Sequence, residues 1–112
     1  MDKEQRDAQL RGSLLTHARL KFDRNPEGWV TGSQLVMAAR DEDRIGLDVE
    51  ADAEHATQLL EDLCELQFLA EQVEIGRGIG KRTLAHRRYR ITDKGRSYCW
   101  GELPEVPGVE VP

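Results

Sequence analysis

The sequence predicts a single small domain of the α+β class, mostly helical, and three observations carry that expectation. Apolar residues recur at helical spacing in three stretches of the first 68 residues. Beyond Leu69 the pattern changes to alternation around a glycine-rich turn. The chain has 112 residues, a length that suits one hydrophobic core.

From Lys3 to about Phe22, Leu10, Leu14, Ala18 and Phe22 recur every fourth residue, with Leu15 widening the stripe, so a first helix is expected there. Asn25-Pro26-Glu27-Gly28 breaks the chain. Trp29-Val30 is long enough only for a minor edge strand. Thr31-Gly32-Ser33-Gln34 has the form of a capping box and opens a second helix, which buries Leu35, Val36 and Ala39 and ends near Arg40. A polar stretch follows in which Ile45, Leu47 and Val49 can tuck against the core. Asp52 is placed to cap a third helix running to about Phe68. Ala53, Ala56, Leu59, Leu60, Leu63, Cys64 and Leu66 fall on one side of that helix; Glu54, His55, Gln58, Glu61, Asp62 and Glu65 fall on the other.

Leu69, Val73 and Ile75 mark a strand, 76–80 a turn, and Thr83 to Ile91 a returning strand. In the second arm Ala85, Tyr89 and Ile91 share one face, and Leu84, His86, Arg88 and Arg90 share the other. Thr92 caps a short last helix through Trp100. The domain is thus expected over 1–101, with 1–9 as a helical extension available for a dimer contact, followed by an extended proline-containing tail over 102–112.

Composition narrows the function classes. Charged residues make up 33% of the chain and hydrophobic residues 38%, which fits a soluble globular protein. No apolar run approaches the ~20 residues that span a bilayer, and the charged start lacks the apolar core of a signal peptide. A cytoplasmic location and no membrane partner follow as expectations. Cys64 and Cys99 belong to no CxxC pair and read as reduced thiols.

The net charge of −5 hides a segregation. Between Asp41 and Glu65 ten acids face one base, for −9; between Arg77 and Arg96 eight bases face one acid, for +7. Such asymmetry creates a surface field that the net value conceals.

The element order is helix, short strand, helix, helix, strand, glycine turn, basic strand, helix, and it resembles a winged helix-turn-helix domain. The resemblance is sharpest at Tyr89-Arg90-Ile91-Thr92-Asp93-Lys94-Gly95-Arg96, similar to the step that leaves the wing in many bacterial and phage-type regulators. Glu27-Gly28-Trp29-Val30-Thr31, entering the second helix, is also of that kind. The resemblance implies a three-helix core, a two- to three-stranded wing and a short C-terminal helix. One feature departs from it: a tight helix-turn-helix joins its helices by 3–4 residues, whereas about a dozen separate Arg40 from Asp52.

The resemblance further implies a DNA-binding protein, a small transcriptional regulator and homodimer. Its wing would lay Arg77, Lys81, Arg82, His86, Arg88 and Arg90 along the phosphates of double-stranded DNA. His55 and Gln58, near the start of the third helix, would supply base contacts. The acidic face of the same helix argues for the alternative, a module that docks a protein partner.

No cofactor, metal or enzymatic activity is expected. Residues 76–83 lack the spacing of a phosphate loop, with Ile75 and Arg82 where glycine and serine or threonine belong. His17, His55 and His86 are scattered and none pairs at ligand spacing. No nucleophile or acid/base arrangement is recognisable.

Overall fold

The computed structural model describes residues 2–73 and 84–112; the turn with Arg77, Lys81 and Arg82 lies outside the described residues. Among the described residues four helices pack around a three-stranded antiparallel sheet, in the order α1 (Lys3–Arg24), β1 (Val30–Thr31), α2 (Gly32–Asp43), α3 (Ala53–Glu65), β2 (Leu69–Val73), β3 (Arg87–Ile91), α4 (Asp93–Cys99). Among the described residues no helix is long and apolar enough to cross a membrane.

Helix α1 begins where the Asp2 carboxylate accepts from the Gln5 amide at 2.8 Å, satisfying one of the free donors of the first turn. Its stripe of Leu10, Leu14, Leu15 and Ala18 is buried as the spacing predicts. At α2 both arms of the capping box form: the Gln34 amide donates to the Thr31 hydroxyl at 3.1 Å, and the Thr31 amide to the Gln34 side chain at 3.0 Å. The helix continues past Arg40 to Asp43, whose carboxylate is held by the Ser13 hydroxyl and, at 3.0 Å, by His17 Nε2 of α1. Of the three apolar residues in the following loop, Leu47 enters the core and Ile45 and Val49 pack against it.

Asp52 departs from its expected role. Its side chain makes no capping bond to α3; it turns back and accepts from the Asp48 amide at 2.9 Å, while Asp48 accepts from the Glu50 and Ala51 amides at 2.8 Å each. The loop needs these carboxylates to satisfy its own amides. The two backbone donors also pull the Asp48 pKa below its ordinary value.

Helix α3 buries Ala56, Leu59, Leu60 and Leu63, then stops three residues before Phe68. Gln67 adopts a left-handed conformation (φ 64°), and the Phe68 and Gln67 amides donate to the Leu63 and Cys64 carbonyls. This Schellman arrangement redirects the chain into β2. Strand β3 is central, with β1 on one edge and β2 on the other; Tyr89 lies opposite both Val30 and Glu71.

The returning strand is shorter than the alternation predicts. Residues 84–86 form a turn, and Leu84 leaves the face expected for it: it is buried, near Gly32 at the start of α2. Tyr89 and Ile91 point into the core as expected. The Thr92 hydroxyl caps α4 by accepting from the Gly95 amide at 3.0 Å.

The tail after Gly101 has no regular structure, yet it is seated. Val109 is completely buried, and the Glu110 amide donates to the Ala8 carbonyl at 2.9 Å. The Tyr98 hydroxyl donates to the Val109 carbonyl at 2.6 Å and accepts from the Val106 amide at 3.0 Å. Arg11 donates to the Gly108 carbonyl at 3.0 Å. The strap thus lies on α1 beside Gly12, where a β-carbon would sit 1.7 Å from the Glu110 carbonyl oxygen. The start of α1, expected to overhang, is engaged as well: Asp7 meets His55 and Ala8 is buried.

Candidate nucleic-acid interface

The basic segment divides into inward and outward cations. Side chains alternate along a strand, so Arg87 points with Tyr89 and Ile91 into the sheet–α3 layer. There Arg87 Nη1 lies 2.7 Å from Glu61 of α3 and 3.4 Å from Glu71 of β2. Its Nε and the Tyr89 hydroxyl are buried and make no hydrogen bond among the described residues. This guanidinium is consumed within the chain. Arg88 and Arg90 lie on the opposite face of the sheet, Arg88 exposed, while His86 is half-buried in the turn before β3.

The side chains of α3 expected to read bases are held by carboxylates. His55 Nε2 lies 2.8 Å from Asp7 Oδ1 of α1. Gln58 donates to Asp62 at 2.9 Å, and Asp62 in turn accepts from Arg11 at 2.8 and 3.0 Å. Glu54 and Glu65 stand exposed on the same helix. Its outward chemistry is therefore acidic, which opposes insertion among phosphates.

A second arrangement was not foreseen. Arg90 lies 5.9 Å from the Phe22 ring and 5.8 Å from the Trp29 ring, Arg96 lies 4.5 Å from Phe22, and Arg19 lies 4.9 Å from Trp100. Two spacings hinted at it: Arg19 and Phe22 are one helical turn apart, as are Arg96 and Trp100. Both tryptophans also fall outside every apolar stripe.

The two thiols belong to the inner packing. Burial, reinforced by Glu71 and Glu61 and opposed by Arg87, pushes the Cys64 pKa from its ordinary 9.0 up to about 12; burial also raises those of Cys99 and Tyr89. A raised folded-state pKa means the unfolded chain loses its protons first. Stability is then full below about pH 9 and declines as pH rises toward 12. Denaturant melts at stepped alkaline pH should show that decline, and it should shrink in Cys64→Ala. Iodoacetamide should label Cys64 more slowly in the folded chain than in urea at pH 8, because only the thiolate reacts. Equal rates would contradict the assigned environment.

Compared with protein-family models, with curated proteins and with solved structures, the chain finds no match.

Proposed function

We propose that the chain is a winged-helix domain that binds double-stranded DNA through the hairpin of β2 and β3, as a small transcriptional regulator. The observation that carries this reading is the antiparallel pairing of β2 with β3, two strands that the sequence joins through a basic stretch. Strands β2 and β3 pair antiparallel, and the residues joining them include Arg77, Lys81 and Arg82. Arg88 stands exposed on β3. The order α1-β1-α2-α3-β2-β3, with β1 laid on β3, supports the winged-helix assignment.

Because α3 presents carboxylates, contact is led by phosphates at the hairpin and sequence discrimination is low. Neutralising about four phosphates gives a slope of log affinity against log salt of roughly −3.6. Gel shifts on generic duplex, stepped from ~50 to ~200 mM salt, measure it. Lys81→Ala with Arg82→Ala should reduce the slope by about 2. No shift at the lowest salt would sink the reading.

A second reading, docking of a basic protein partner on α3, is favoured by the capture of His55 and Gln58 by Asp7 and Asp62. Glu54→Lys with Glu65→Lys separates the two. If α3 faces the duplex the reversal tightens DNA binding; if α3 faces a protein it leaves DNA binding unchanged and abolishes capture of a polylysine peptide.

A further inference from the structure

We infer that the row formed by Trp29, Arg90, Phe22, Arg96, Arg19 and Trp100 is a second surface, apart from the residues that join β2 to β3, that binds single-stranded nucleic acid. The row joins two clusters through the helical spacing of α1 and α4. Arg90 has Phe22 and Trp29 as ring neighbours, and Phe22 also carries Arg96. Arg19, one turn before Phe22 on α1, faces Trp100, one turn after Arg96 on α4. Two clusters of rings and guanidinium groups therefore stand one helical turn apart, Trp29, Arg90, Phe22 and Arg96 in one and Arg19 with Trp100 in the other.

The chemistry of the row selects its occupant. A guanidinium over a ring spends one face on the contact, while its N–H donors stay in the plane; Arg96 Nε is buried, which leaves the terminal N–H groups to bind oxyanions. Among the described residues no carboxylate lies within 4.0 Å of Arg90, and its ring contacts hold it in place. Arg19 and Arg96 do meet carboxylates, Asp23 at 3.4 Å and Asp93 at 3.6 Å. Those partners are 48% and 102% exposed against 20% and 39% for the arginines, so the pairs are solvent-screened and weak, and a phosphate can compete for the exposed edge of each guanidinium.

The rings narrow the choice further. Trp100 is 64% and Trp29 36% exposed, far more than core packing would leave open. The fitting partner is anionic and also offers flat faces for stacking. An acidic peptide meets the first condition alone. A duplex hides its base faces. A single strand meets both, with bases on the indoles and phosphates on the arginines.

Both tryptophans of the chain lie on this row, so tryptophan emission, excited selectively over Tyr89 and Tyr98, reports the site. Titration of the intact chain with short oligo-deoxythymidine should quench that emission saturably. An abasic strand of equal length should bind more weakly and quench little. Trp100→Ala should weaken binding about 5- to 150-fold, the loss of one stacked base. Trp29→Ala, with circular dichroism confirming the fold, serves as a second test.

The hairpin variant Lys81→Ala with Arg82→Ala should leave the quenching unchanged. Its loss of duplex binding would then be separable from any failure here. Three results would overturn the assignment: no quenching at low salt, equal binding of the abasic strand, or equal quenching by polyglutamate, which would mark an acidic protein as the partner.

Discussion

Replacing Gly12 by alanine is expected to destabilise the domain by about 2–4 kcal/mol. Helix propensity alone predicts the opposite sign, since alanine gains ~1 kcal/mol over glycine within a helix. Sterics decide the outcome. The new β-carbon would lie 1.7 Å from the Glu110 carbonyl oxygen and 2.4 Å from its carbon, and backbone atoms cannot rotate away as a side chain does. Either α1 shifts, at the cost of its packed face, or the strap lifts. A lifted strap exposes Val109, worth ~1.5–3 kcal/mol of burial. It also strands the Tyr98 hydroxyl. Urea melts and limited proteolysis of 102–112 measure both effects. Gly108→Ala is the control, because its β-carbon would meet only Arg11 Nη1, at 3.8 Å, and should change stability by under ~0.5 kcal/mol. A Gly12→Ala variant as stable and as protease-resistant as wild type would mean that the strap is not seated.

Removing both carboxylates from Arg87, as Glu61→Ala with Glu71→Ala, is expected to cost about 2–3 kcal/mol. Arg87 is only 12% exposed, so a guanidinium that loses its partners stays largely desolvated. The penalty falls below that of a fully buried pair because Glu61 is itself 40% exposed and part of the attraction is screened. Adding Arg87→Met should recover most of the loss by removing the stranded charge and leaving an apolar stem against α3. Thermal melts of the double and triple variants decide. If the double variant lies within ~0.5 kcal/mol of wild type, Arg87 is solvated and the contact is a surface one.

Local features of the fold were legible in the sequence because each is decided between residues close in the chain. The capping box joins Thr31 to Gln34, the Thr92 cap joins residues three apart, and the stripes of α1 and α3 repeat within a turn or two. What escaped is settled by distant partners. Nothing near Val109 marks it as core, since its burial depends on Gly12 and Tyr98. Asp52 has the composition of a cap, but the demand of the Asp48 amide decides where its carboxylate goes. Arg87 reads as one more cation in a basic run until strand parity turns it toward Glu61.

The same balance holds for the candidate interface. Charge segregation is visible in composition, but which cations remain available is set by pairing across elements. Arg87 goes to α3, while rings position Arg90 and Arg96 without pairing their charge. His55 and Gln58 stand on α3 as the periodicity predicts, and contacts with Asp7 and Asp62 determine what they can touch.

Residue 110 donating to residue 8 has a consequence for biosynthesis. Helix α1 is made well before its cover, so a nascent chain on the ribosome carries the groove around Gly12 open until Glu110 has emerged. Thermodynamically this delay is cheap, since the entropy of joining distant points grows only with the logarithm of their separation. In time it is not: from the appearance of α1 to the arrival of Val109, that face is a sticky surface for a chaperone or for a neighbouring copy on the same message.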